Sequence, residues 1–218
     1  MSGSIFTHID HQVATVTFSH PKSNSFPSEL LEKLIRSIDR LGGDESVKVI
    51  VIQSEGDKSF CAGASFDELL EITTLGEGKE FFSGFANLIN AMRKCPKLII
   101  GRVQGKAVGG GVGIIAACDY CFATEAADIK LSELSIGIGP FVIAPALERK
   151  MGISAFSELS LEAQSWKTAY WAQKNGLLNK VYENQRDMDE GIDILVCQLV
   201  KYNPEALLKM KEIFWEGT

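Results

Sequence analysis

No apolar run in the 218-residue chain is long enough to cross a bilayer. The longest mostly apolar stretch, Ala107 to Cys118, falls short of the ~20 residues that a spanning helix needs. The opening residues, MSGSIFTH, lack a basic stretch followed by an apolar core. Neither secretion nor membrane insertion is expected, and the cytoplasm is the expected compartment. Cysteine is too sparse and too irregular for a disulfide framework. Of Cys61, Cys95, Cys118, Cys121 and Cys197, only Cys118 and Cys121 form a C-x-x-C, with no second pair. Reduced thiols are expected. The three histidines, His8, His11 and His20, have no ligand spacing to one another or to a cysteine, so no metal site is expected. No block of like charge stands out, and the net charge of -6 argues against a nucleic-acid partner. A G-x-S-x-G nucleophile elbow and a phosphate-binding G-x-x-x-x-G-K-[ST] are both missing.

The chain does carry an ordinary globular composition, 45% hydrophobic, enough for one substantial core. Strand, loop and helix recur in that order at least three times, the pattern of an α/β fold. Two β-prone runs, Ile5 to Ile9 and Val13 to Phe18, read as a hairpin. Ser28 is a plausible N-cap for a helix to about Asp39, and Val47 to Gln53 is a strand. Gly56 to Ser65 reads as a loop opening into helix from Phe66 to Ile72. Leu75-Gly76-Glu77-Gly78 reads as a break before a helix from about Lys79 to Arg93, and Leu98 to Val103 as a buried strand. Short strands follow at Tyr120 to Thr124 and Ile129 to Leu131. Beyond Ser157 the chain is mostly helical, ending in a helix from about Pro204 to Trp215. Phe81, Phe82, Phe85, Leu88, Ile89 and Met92 share a helical face and read as core; Trp166, Tyr170 and Trp171 are core or subunit interface. Apolar residues close the chain with little after them to pack on. Either a partner chain covers them or a C-terminal segment is missing.

Gly105 to Asp119 joins Gly109, Gly110 and Gly111 to an apolar, alanine-containing run, the pattern of a buried helix whose first N–H groups lack partners. Glycines alone are better explained by tight packing of two elements. The loop through Ala64 is the second place where a glycine turn follows a strand and opens a helix. Side by side at one sheet edge, the two loops would aim amides near Ala64 and Gly110 at a common point, an arrangement suited to an oxyanion.

Four blocks resemble the enoyl-CoA hydratase/isomerase (crotonase) superfamily: Phe60 to Ala64; Gly105 to Gly111 with Ala117-Cys118-Asp119; Glu133 to Pro140; and Ala172 with Gly176 to Val181. They occur in family order and spacing over about residues 5 to 215. Residues 136 to 150 look closest to the methylglutaconyl-CoA hydratases. The resemblance implies a ClpP/crotonase spiral of repeated ββα units over residues 1–155, carrying an acyl-CoA site. A helical C-terminal trimerisation region would span residues 156–218. It implies a homotrimer or a hexamer built as a dimer of trimers, and coenzyme A as part of the substrate with no permanently bound cofactor.

Residue by residue, the resemblance puts the oxyanion-hole amides on Ala64 and Gly110 and an acid/base carboxylate on Glu133. Lys22, Ser25, Lys58 and Ala62 fall in segments lining the acyl-CoA channel. Gly113 stands where two-glutamate hydratases carry their second carboxylate, and Ser65 where the family block usually has aspartate. One carboxylate suffices to shuttle a proton between two carbons, whereas hydration benefits from two. An acyl-CoA enzyme that hydrates or isomerises is therefore expected, with a weakly catalytic CoA-binding or assembly member as the alternative.

Overall fold

The computed structural model describes residues 3–218; Met1 and Ser2 lie outside them. Strands β1 (Ser4–Asp10) and β2 (Val13–Ser19) pair antiparallel around His11 and Gln12, which take φ of 46° and 68°. Positive φ at both central residues gives a turn whose twist matches the strands. Along β2, Ala14, Val16 and Phe18 are fully buried and their neighbours half-buried, the period of two of a strand with one face on the core.

Helix α1 (Ser28–Gly42) returns the chain to β3 (Val49–Ser54), which pairs parallel with β2. From there the architecture is a coil. A long strand is followed by a short one and then by helix: β3, β4 (Ser59–Cys61), α2 (Phe66–Glu71) and α3 (Leu75–Lys94); then β5 (Leu98–Val103), β6 (Lys106–Val108) and α4 (Gly110–Ala117). The third turn is β7 (Tyr120–Thr124), β8 (Ile129–Lys130), a 3-10 turn at Glu133–Ile136 and α5 (Ala144–Leu161). Long strands enter a six-stranded sheet ordered β1-β2-β3-β5-β7-β9, and short strands stack in parallel as β4-β6-β8. This is the repeated ββα unit expected above.

Helix α6 (Ala169–Lys174), β9 (Lys180–Tyr182), α7 (Gln185–Leu199) and α8 (Pro204–Phe214) complete the chain. They share the same body: β9 pairs with β7, while Met188, Ile192 and Val196 of α7 cover Val49, Val51, Ile100 and Phe122 on the outer face of the large sheet. The inner face meets the main core, to which α1, α3, α4 and α5 contribute. Among the described residues no helix is long and apolar enough to cross a membrane.

Three local expectations need correction. Ser28 does not cap α1: Pro27 precedes the helix, and the Ser28 N–H and Oγ both donate to the Glu68 carboxylate, at 3.0 and 2.8 Å to Oε2. Leu75 to Gly78 is the first turn of α3, because Thr74 and Glu77 form a reciprocal capping box that outweighs two glycines. The short strands β4 and β6 lie inside stretches read as loop, since three residues are too few to show a period. At the chain end, Ile213 and Phe214 stay exposed. Trp215 is buried, with the Arg149 guanidinium 3.8 Å from its ring centroid and its Nε1 donating to Asp119 Oδ1. Of the other aromatic residues whose burial was left open, Trp171 packs against the core, whereas Trp166 and Tyr170 stay exposed.

Candidate active site

The stacking of β4, β6 and β8 brings three loops to one end of the small sheet, each following its strand. The first loop passes through Gly63, where φ is +88° and an added Cβ would lie 2.9 Å from the Val108 carbonyl oxygen. Only glycine fits there. The adjoining residues bracket Phe26: its N–H donates to the Gly63 carbonyl at 2.8 Å, and the Ser65 N–H donates to the Phe26 carbonyl at 3.0 Å. In a parallel bridge of this kind the central residue, Ala64, turns its own N–H to the other side. Ser65 then caps α2, its Oγ accepting from the Glu68 N–H at 3.4 Å. The serine thereby caps the helix from the position where the resembled block usually has aspartate.

In the second loop Gly109 takes φ +53° and ψ -121° and hands over to Gly110, the first residue of α4. As the first helical residue, Gly110 has an N–H with no intrahelical acceptor. Among the described residues neither the Ala64 nor the Gly110 N–H meets a protein acceptor. Both residues line a cavity of about 160 Å³. A Cβ on Gly111 would lie 2.6 Å from the Cys61 carbonyl oxygen, so the bare α carbon lets α4 seat directly against β4.

The third loop supplies Glu133, at the start of the 3-10 turn, which ends on Gly137 with φ +81°. Its carboxylate lies over Gly109, whose missing Cβ would fall 2.9 Å from Glu133 Oε1. Oε2 is buried without a hydrogen-bond partner. Burial pushes the Glu133 carboxyl above the ordinary glutamate range, opposed only by a hydrogen bond from its own backbone. Glu133 is the one ionisable side chain among the described residues lining the cavity. A carboxylate so desolvated is a candidate for proton transfer near neutral pH.

Apart from Ser132, the remaining side chains of the wall are apolar. Phe66, Leu69, Ile138, Val142 and Ile143 contribute to it, and so do Phe81, Phe82 and Phe85. The helical face read as core thus splits its duties: Leu88 and Met92 are buried in the core, whereas the three phenylalanines face the cavity. Spacing alone cannot separate the two, because a helix presents one apolar stripe to both. Cys61 lies just behind the site, its Sγ accepting from the Gly63 N–H at 3.3 Å; burial pushes its thiol up to about 12, leaving it protonated and unfit as a nucleophile.

Of the other residues the sequence singled out, Ala62 lines the cavity, but Lys22, Ser25 and Lys58 do not. The exposed Lys22 pairs with Asp67, and Ser25 Oγ lies 3.0 Å from His20 Nδ1. Lys58 is exposed on the loop before β4. The loops of Lys22 and Lys58 are nonetheless clamped together. Asn24 Nδ2 donates to the Glu55 and Ser59 carbonyls at 2.9 Å each, and the Ala62 N–H donates to the Ser23 carbonyl at 3.1 Å.

Known proteins resemble the chain over nearly its whole length. Residues 8–218 match the family model described as enoyl-CoA hydratase/isomerase. A short-chain-enoyl-CoA hydratase from Clostridium acetobutylicum is 31% identical over 208 residues, covering 94% of this chain and 78% of the relative. A trans-2-decenoyl-[acyl-carrier-protein] isomerase from Streptococcus mutans is 24% identical over 98% of this chain and 82% of its own length. Among solved structures, an enoyl-CoA hydratase from Mycobacterium smegmatis superposes with a TM-score of 0.91 at 27% identity, covering 97% of this chain and 82% of that one.

Proposed function

The chain belongs to the enoyl-CoA hydratase/isomerase family, and on that premise we propose that it binds an acyl-CoA thioester between the Ala64 and Gly110 amides and moves a proton with Glu133. The observation that carries this reading is the meeting, around one cavity, of two unpartnered N–H groups and one desolvated carboxylate. Glu133 takes a proton from the carbon next to the thioester, and the electron pair moves onto the carbonyl oxygen. The two amides stabilise that oxygen, with the N-terminal end of α4 behind Gly110. Return of the proton to the far carbon of the conjugated system shifts a double bond. Coenzyme A enters as part of the substrate, and no permanent cofactor takes part. Lys22, Ser25 and Lys58, on the clamped loops outside the cavity, are proposed to flank the carrier, and Ala62 to line its path. A trimer or a dimer of trimers would cover exposed apolar side chains such as Ile153, Leu161 and Ile194.

The test is Glu133→Gln assayed with 2-enoyl and 3-enoyl thioesters of CoA in heavy water, following deuterium uptake and water addition by mass. Turnover should fall by ~100- to 10,000-fold, with CoA binding by calorimetry nearly unchanged. Equal turnover in both proteins would remove Glu133 from the chemistry. Binding without turnover in either protein would favour a CoA-binding or assembly member of the fold.

A further inference from the structure

Gly113 lies in α4 one turn beyond Gly109, on the side facing the cavity wall. A Cβ built there would fall 2.4 Å from Ile143 Cγ2 and 3.0 Å from Ile143 Cβ, with Ile89 Cδ1 at 3.7 Å. Ile143 is 3% exposed, lines the same cavity as Glu133, and immediately precedes α5. Branched hydrocarbon therefore occupies the space into which any side chain at position 113 would project. The exchange is complementary, a bare α carbon on one helix and a β-branched side chain from the other element filling the volume it leaves.

A water molecule held at a reacting carbon needs two or more polar partners. Ile143 offers none, and its neighbours on that wall, Val142 and Pro140, contribute only apolar side chains. We propose that Ile143 is a specificity-determining residue: by filling the seat beside Gly113 it keeps water off the reacting carbons and directs the site to proton return in place of hydration. This rests on the function proposed above. In proton return the hydrogen removed from the α carbon, or its exchanged equivalent, is delivered to the γ carbon. The double bond moves inward and nothing is added. In hydration one water is consumed, its oxygen bonding to the β carbon and a hydrogen to the α carbon.

The experiment compares wild type, Ile143→Ala, Ile143→Thr and the double variant Gly113→Glu with Ile143→Ala, using crotonyl-CoA and a 3-enoyl-CoA in heavy water. Threonine keeps the branch at Cβ, loses only the terminal methyl and puts a hydroxyl in place of Cγ1, so it supplies a group to hold water even if alanine leaves the fold too weak to assay. Wild type should exchange deuterium and shift the double bond with little water adduct. The ratio of adduct to exchange should rise by about tenfold or more in Ile143→Thr or Ile143→Ala, a change of ~1.4 kcal/mol between two barriers. It should rise further in the double variant, where the glutamate finds space. Free hydration by wild type, or an unchanged ratio in every folded variant that still exchanges deuterium, overturns the role of Ile143. Absence of both reactions in wild type removes the proposed function and this inference with it.

Discussion

Burying a carboxylate with one oxygen unpartnered makes Glu133 a source of pH-dependent stability. Its folded-state pKa lies above the unfolded value, so folding favours the protonated form, and this contribution is complete below the ordinary glutamate range and lost as pH rises through the raised value. Glu133→Gln should therefore raise Tm at neutral pH while abolishing turnover, and the difference in Tm should vanish in acid; calorimetry at several pH values reads it. Activity should have the opposite slope, rising with pH through the same titration because the base must be unprotonated. The neighbouring Gly109 makes a separate demand. Gly109→Ala places a methyl carbon against Glu133 Oε1 at a backbone φ of +53°. It should cost on the order of 1–2 kcal/mol in urea unfolding, and turnover should fall by much more than that small loss of stability accounts for, since the carboxylate is displaced.

Helix α3 links packing to the site within a single element. Its C-terminal half anchors in the core through Leu88 and Met92, and its N-terminal half holds Phe81 and Phe82 on the cavity wall, secured at the start by the Thr74 capping box. Thr74→Ala should lower stability by ~1 kcal/mol. Hydrogen exchange should show the loosening confined to the first turns of α3, and KM for the acyl thioester should rise more than kcat falls. The same helix shows what could and could not be read beforehand. Its apolar stripe was plain in the 3.6-residue period. Its start was misplaced because Gly76 and Gly78 look like breakers until the Thr74–Glu77 reciprocity is weighed. Long strands such as Leu98–Val103 emerge from composition, and so does the short β8, whereas β4 and β6 are too short to leave a pattern. Ala64 and Gly110 were legible from their glycine loops and Glu133 through the family resemblance, and all three face one cavity; Ile143 was not legible, because its role depends on a contact with Gly113 thirty positions away in the chain.

At the scale of the whole molecule, the C-terminal helix is held by charge inside the protein. Lys211 is 2% exposed; its Nζ donates to the Lys97 carbonyl at 2.8 Å and lies 3.1 Å from Asp119 Oδ2, which also accepts the Ile99 N–H at 2.7 Å. Lys211→Met would strand that carboxylate, and breaking a buried pair costs ~3–5 kcal/mol. Urea unfolding should show a loss of that size, and Trp215 fluorescence should shift to the red as its ring reaches water. The coil of strands has a further consequence. Strands β4 and β6 are adjacent parallel neighbours, so the loops that follow them are set apart by the hydrogen-bonding repeat of a sheet, about 4.8 Å. The polypeptide thus carries its own gauge block. The interval between the turn at Ala64 and the turn at Gly110 is inherited from the peptide unit itself, and the bare α carbons of Gly63 and Gly111 let the two turns close down to it.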